Sequence, residues 1–153
     1  MSAFYSSALV KRYLTEMGSA WVIALTTPPA GHTLIIVEIT RVEVAAALAA
    51  RHRASGGISR KERDDAVNLL HQHCATDYQL TPISPLIVDH AVTLTQNHRL
   101  RGYDAVQLAT ALAVNASYLA AGLPALTFVA ADDDLIAAAQ AEGLAAENPN
   151  NPP

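Results

Sequence analysis

The chain has 153 residues, of which 51% are apolar and only 5% aromatic, with a formal net charge of −4. That length suits one domain with a real core, and so few aromatics leave Ala, Leu and Val to fill it. The charge excludes a surface coated in basic patches but not a nucleic-acid partner, because local clusters matter more than the total.

Residues 3–5 read as a very short first strand. Ser6 opens a helix with Ala8, Leu9, Val10, Tyr13 and Leu14 as its apolar set. A second helix starts at Gly18 and Ser19, runs through Leu25 and is stopped by Pro28-Pro29. Residues 33–37 are rich in β-branched side chains and read as a strand. Thr40-Arg41-Val42-Glu43 has the pattern of a capping box and leads into an Ala-rich helix to about Ala54, ended by Gly56-Gly57. Ser59-Arg60-Lys61-Glu62 repeats that pattern and starts a helix to about Cys74. Residues 78–83 form a strand, and Pro85 suits the first position of a helix to about His98. Asp104 then opens an apolar helix in which Ala105, Leu108, Ala109, Leu112, Ala116 and Leu119 recur at spacings of three and four, up to Gly122. Residues 126–130 are a buried-type strand, residues 133–142 a helix, and residues 144–146 a short last strand.

Helices alternating with four or five strands predict an α/β fold, a parallel sheet flanked by helices on both faces. With no internal repeat or linker, residues 1–147 read as one domain and residues 148–153 as an unstructured tail without packing residues. No charged leader precedes an apolar stretch at the start. The longest apolar run, residues 118–131, is broken by Gly122 and Pro124 and falls short of the ~20 residues a bilayer requires. The single cysteine, Cys74, excludes a disulfide framework within the chain. A soluble, cytoplasmic protein with no membrane segment is the expectation.

Three acids recur at helix starts or strand ends of this apolar scaffold: Glu43, Asp104 and Asp132, with Asp134 close behind the last. Each has a plain structural explanation, because helix N-termini attract carboxylates. The capping box with Thr40 accounts for Glu43, Asp104 suits an N-cap, and Asp132, Asp133 and Asp134 suit a capped helix start. Together they suggest more. Ligands of parallel α/β sheets collect outside the carboxyl ends of the strands. Carboxylates gathered there repel one another unless a cation is present. Mg²⁺ or Mn²⁺ takes such hard oxygens, and could activate a water against a phosphodiester.

The alternatives are weaker. His71 and His73 stand two apart and do not share a helix face, so with the other histidines they read as surface residues, and Cys74 has no evident partner. The segment 51–63, with His52, Arg53, Arg60 and Lys61 around Gly56-Gly57, reads as a solvated surface. A phosphate-tracking role is the lesser alternative, supported by Lys11, Arg12, Arg99 and Arg101.

Taken together, these segments make the chain resemble the PIN-domain ribonucleases, specifically the VapC-type toxins of toxin–antitoxin pairs. The resemblance is carried by Ser6-Ser7-Ala8-Leu9-Val10-Lys11-Arg12-Tyr13, by Thr40-Arg41-Val42-Glu43-Val44, by Leu100-Arg101-Gly102-Tyr103-Asp104-Ala105 and by Phe128-Val129-Ala130-Ala131-Asp132. Glu142-Gly143-Leu144 through Asn148-Pro149 also fits. The resemblance implies a PIN fold, Mg²⁺ or Mn²⁺, hydrolysis of RNA phosphodiester bonds, a homodimer and a cognate VapB-type antitoxin. By position, Glu43, Asp104 and Asp132 match three of the family's metal-site acids, Asp134 an auxiliary fourth, and Ser7 a small polar site residue. One departure stands out. The family's first strand ends in a metal-binding aspartate, and Tyr5 occupies that place here, through substitution or a short deletion. Tyrosine is neutral at pH 7 and a poor Mg²⁺ ligand. The alternative is therefore a nuclease-dead PIN module that binds an antitoxin or RNA without cutting.

Overall fold

The computed structural model describes residues 1–27 and 30–152, and the side chains of Tyr5 and Ser7 lie outside what is described. The expected stop at Pro28-Pro29 also lies outside the described residues. Five strands, β1 (Ser2–Tyr5), β2 (Thr33–Val37), β3 (Tyr78–Thr81), β4 (Thr127–Val129) and β5 (Ala145–Glu147), form one sheet in the order β3-β2-β1-β4-β5. Every pairing is parallel. The chain starts in the middle of the sheet, steps outward through β2 and β3, then crosses to the other side of β1 for β4 and β5. The helices are α1 (Ser19–Thr26), α2 (Glu38–Arg53), α3 (Arg60–Thr76), α4 (Pro85–Asn97), α5 (Gly102–Ala120) and α6 (Asp133–Ala141).

Strand alternation divides the core in two. Ile35 and Val37 of β2 join Phe4 and Phe128 beneath α4, α5 and α6. Leu34 and Ile36 face the opposite way, with Val44, Leu48, Leu70 and Cys74 of α2 and α3. A sheet buried on both faces needs continuous apolar strands, which is why Leu34-Ile35-Ile36-Val37 shows no polar alternation. Phe4 and Phe128 are register partners on neighbouring strands, and their rings stack at 5.9 Å between centroids. Among the described residues no helix is long and apolar enough to cross a membrane.

Four local expectations are corrected. The segment after Ser6 is a 3-10 helix, Ser7–Arg12, capped by the Ser6 hydroxyl, which accepts from the Ala8 amide at 3.4 Å. The capping box at Thr40 is absent. Strand β2 passes into α2 without a loop, so the helix begins at Glu38 with Val37 as N-cap, and Thr40 and Glu43 already lie inside it. The matching box at Ser59 does form, with Glu62 N donating to Ser59 Oγ at 3.1 Å and Ser59 N donating to Glu62 Oε2 at 2.7 Å. Asp104 is not an N-cap either, because Arg101 holds that place.

The last correction concerns the C-terminal residues. Pro149 is buried. Asn148 Nδ2 donates to Asp133 Oδ1 at 2.9 Å, and Asn150 Nδ2 reaches the Ala131 carbonyl at 3.4 Å. Residues 148–150 are therefore tied across the turn between β4 and α6. Gly18 lets them lie there: its φ is +83°, and a Cβ on it would meet the Pro149 carbonyl oxygen at 2.4 Å.

Candidate metal centre

In this strand order the topological switch falls between β1 and β4, and ligands of such sheets bind in the crevice outside the carboxyl ends there. Tyr5, the last residue of β1, stands in register with Val129, the last of β4, and the Ser6 amide donates to the Val129 carbonyl at 3.0 Å. Asp132 follows shortly after the end of β4. It caps α6, its Oδ1 accepting the Leu135 amide at 2.9 Å. The capping explanation therefore holds for Asp132, but it uses only one of two oxygens. Asp134 follows in the first turn of α6, exposed, with Arg99 Nε 3.9 Å from its Oδ2.

Asp104 enters from the first turn of α5. It shares with Asp132 and Asp134 a cleft of about 330 Å³ whose rim carries His98, Arg99 and Arg101. Burial pushes the Asp104 carboxyl above its usual range and the charge of Asp132 adds to this, while the Arg101 amide and guanidinium pull it back.

Glu43 sits one helix away, on α2. Its carboxylate accepts a hydrogen bond from Gln107 Nε2, and Gln107 Oε1 in turn accepts from the Thr40 hydroxyl at 3.4 Å. Gln107 and Thr40 are both fully buried. Burial first, and then the charge of Asp104, push the Glu43 carboxyl up to about 7, against the pull of the Gln107 bond.

The acids singled out in the sequence thus come to one end of the sheet, though not to one point. Asp104, Asp132 and Asp134 line a common cleft, and Glu43 reaches it through the field of Asp104 and through Gln107. Among the described residues no three acidic, histidine or cysteine side chains converge closely enough to hold a single ion. The donor set nevertheless suits a hard divalent cation. Glu43 and Asp104 are partly buried carboxylates pushed toward neutrality, and among the described residues neither has a salt-bridge partner. Sequence reasoning missed Gln107 and took Thr40 for a helix cap. The signal was present: Gln107 interrupts the buried stripe Ala105, Leu108, Ala109 and Ala111, three residues after Asp104.

The other candidates resolve into structure. Lys11 is 5% exposed and spends its ammonium on Glu16 Oε1 at 3.0 Å and the Met17 carbonyl at 2.8 Å. Arg12 donates to the Tyr78 hydroxyl at 2.6 Å. That hydroxyl lies 2.7 Å from the Tyr13 hydroxyl, which lies 2.8 Å from His73 Nδ1. His73 is therefore half-buried rather than fully exposed; burial, helped by the charge of Arg12, lowers its pKa. In the segment 51–63, Arg51 faces Glu16 at 3.7 Å, and Lys61 and Arg63 pair with Asp65 and Asp64, both at 2.6 Å. Of the basic residues considered for phosphate, Arg99 and Arg101 stand at the acidic cleft.

No protein-family model matches the sequence, and no curated protein matches it. Solved structures do match along nearly the whole chain. The FitAB complex bound to an IR36 DNA fragment matches at a TM-score of 0.65 and 12% identity, covering 97% of this chain and 96% of that one. VapC20 of Mycobacterium tuberculosis, a sarcin-ricin-loop-cleaving toxin, matches at 0.62 and 13% identity over 99% of both chains. VapBC2 of Rickettsia felis, bound to a DNA fragment from its promoter, matches at 0.61 and 13% identity over 97% of this chain and 98% of that one. At such identities the likeness is one of fold: this chain has the α/β architecture of the PIN-domain toxins.

Proposed function

We propose that this protein is a VapC-type PIN-domain toxin, a metal-dependent endoribonuclease acting on RNA. The observation that supports this reading most is the acidic cleft at the switch point. Asp104, Asp132 and Asp134 line it, and Glu43, on the neighbouring α2, is partly buried within the field of Asp104. Holding like charges this close costs stability. Asp104 and Asp132 would hold Mg²⁺ or Mn²⁺, with Glu43 completing the charge and Asp134 assisting. When bound, the ion supplies Lewis-acid stabilisation of phosphoryl charge and acidifies water for attack. Arg99 and Arg101 at the rim would meet the RNA backbone, a contact that positions the chain without reading sequence. A VapB-type antitoxin is the proposed partner, in keeping with the complexes that share the fold, and the assembly proposed is a homodimer in the cytoplasm.

One observation favours a second reading. The first strand ends in Tyr5, in register with Val129 just ahead of the Asp132 turn, so no carboxylate comes from β1. A nuclease-dead module that binds antitoxin or RNA would tolerate that loss.

The test assays RNA cleavage with Mn²⁺ for the present protein, Tyr5→Asp, and a variant with Leu-Asp inserted between Tyr5 and Ser6. Misplacing a reacting group by ~1 Å can cost about a hundredfold. The variant that brings its carboxylate into register should therefore gain on that order, and Asp104→Asn should abolish cleavage. No cleavage by any of them hands the site to the binding module.

A further inference from the structure

We propose that Tyr103 is a base-stacking residue, and that with Arg101, Gly102 and Val106 it forms a subsite for an unpaired nucleobase beside the acidic cleft. The inference rests on the reading of that cleft as the place where RNA is cut, and extends it to the neighbouring nucleotide. Successive residues of a helix point about 100° apart, so the first turn of α5 offers two surfaces. Asp104 turns to the acidic cleft. Tyr103, one residue earlier, lines a second hollow of about 340 Å³ with Arg101, Gly102 and Val106. Val106 stands three positions on and so shares the Tyr103 face. Arg101 lines both hollow and cleft, so the two meet at a cation.

The chemistry around the hollow suits a nucleotide. The Tyr103 side chain is 59% exposed, and among the described residues its ring stacks on no other aromatic ring. A Cβ on Gly102 would meet nothing within 4 Å, so the space between Arg101 and Tyr103 is open. Arg101 has no salt-bridge partner among the described residues. A nucleotide carries a flat π face and a phosphate separated by one sugar. Tyr103 takes the face, and Arg101 takes the phosphate on the side of the cleft. Every base has such a face, so the contact tolerates many sequences. In a duplex the neighbouring bases cover both faces, which restricts the subsite to a splayed or single-stranded nucleotide. An apolar peptide would find less here, because the hollow offers one aromatic and one valine with a free cation at its edge.

Fluorescence anisotropy with an unstructured, mixed-sequence RNA of about eight nucleotides tests this. It is run in Mn²⁺ and again in chelator, beside the same strand annealed to its complement. Loss of one stacked aromatic is worth about tenfold in affinity. Tyr103→Ala should therefore weaken single-strand binding by about that factor and leave the duplex unaffected. Tyr103→Trp should keep the affinity, whereas Tyr103→Leu, apolar but without a π face, should not. Gly102→Val, at a position whose φ is not positive, fills the hollow and should weaken binding as Tyr103→Ala does. Arg101→Ala should lower the salt slope by about one, and Tyr103→Ala should leave that slope unchanged. Thermal melts report that each variant is folded. A folded Tyr103→Ala that binds the single strand like the parent overturns the proposal, as does a Tyr103→Leu that binds equally well. Light scattering in which Tyr103→Ala changes the mass assigns the hollow to a second copy of the chain and overturns it too. A parent that binds no RNA in either condition removes the RNA reading itself and this inference with it.

Discussion

Replacing Glu43 by glutamine should stabilise the metal-free protein at pH 8 and leave it nearly unchanged at pH 5. The amide would keep the shape of the side chain and still accept from Gln107 Nε2, so the variant removes charge and little else. In the folded protein the Glu43 carboxyl is pushed from the usual 4.5 up to about 7, first by burial and then by Asp104. The ionised form is the one penalised. An unfolded chain releases this proton near 4.5 and the folded chain only near 7. Stability therefore falls as pH rises between those values, and the deficit is complete above the upper one. The full difference corresponds to about 3 kcal/mol, and water screening of a half-exposed group reduces it to about 1–2 kcal/mol. Asp104 is raised as well, and its repulsion of Glu43 is part of the cost the variant removes. Urea denaturation in the presence of a chelator, at pH 5 and pH 8, measures the difference directly. A Glu43→Gln variant no more stable than the parent at pH 8 would refute the account of Glu43 as a charge held at a cost. On the proposed metal site, added Mn²⁺ should narrow the gap at pH 8, because the parent offers the cation one carboxylate more than the variant.

Two further outcomes follow from contacts away from Glu43. Asn148→Ala with Asn150→Ala removes the ties to Asp133 and to the Ala131 carbonyl that bracket Asp132; urea melts should show a loss of about 1–3 kcal/mol, and calorimetry a weaker Mn²⁺ affinity. The proposed homodimer would cover exposed apolar side chains such as Met17, Leu86 and Val92, which are 58–80% exposed, so light scattering should return a dimer mass, and a monomer mass at every practical concentration would reject it.

The sheet was legible because its strands obey a simple physical rule. Leu34-Ile35-Ile36-Val37 and Phe128-Val129 are apolar without interruption, which only a strand covered on both faces tolerates. Pro85 and Ser59 were equally plain, since proline at a first turn and a reciprocal Ser–Glu cap are local devices that need no tertiary partner. The failures share a cause. Thr40 and Glu43 carry the spacing of a cap, yet β2 feeds straight into α2 and starts the helix before Thr40. Asn148 to Asn150 look like an unpacked tail because their partners, Gly18, Ala131 and Asp133, are distant in sequence. His73 reads as exposed from its helical neighbours, and Tyr13 and Tyr78, from elsewhere in the chain, half-bury it.

The loss of the capping box changes what Glu43 means. As a cap, its carboxylate would have been explained by the helix end it satisfied, and nothing further would follow. Inside α2 it satisfies no helix end, and its hydrogen bond to Gln107 satisfies a residue that itself interrupts an apolar stripe. Apolar residues of similar volume at 107 and 43 would pack there without burying an amide or raising an acid toward 7. Replacing buried polar networks by apolar residues of similar volume is often neutral or stabilising. The Thr40–Gln107–Glu43 chain therefore has no account in stability alone. Its account lies beyond α2, in the charge that Asp104 sets at the same end of the sheet and, on the proposed metal reading, in a cation whose charge would relieve the repulsion between these carboxylates.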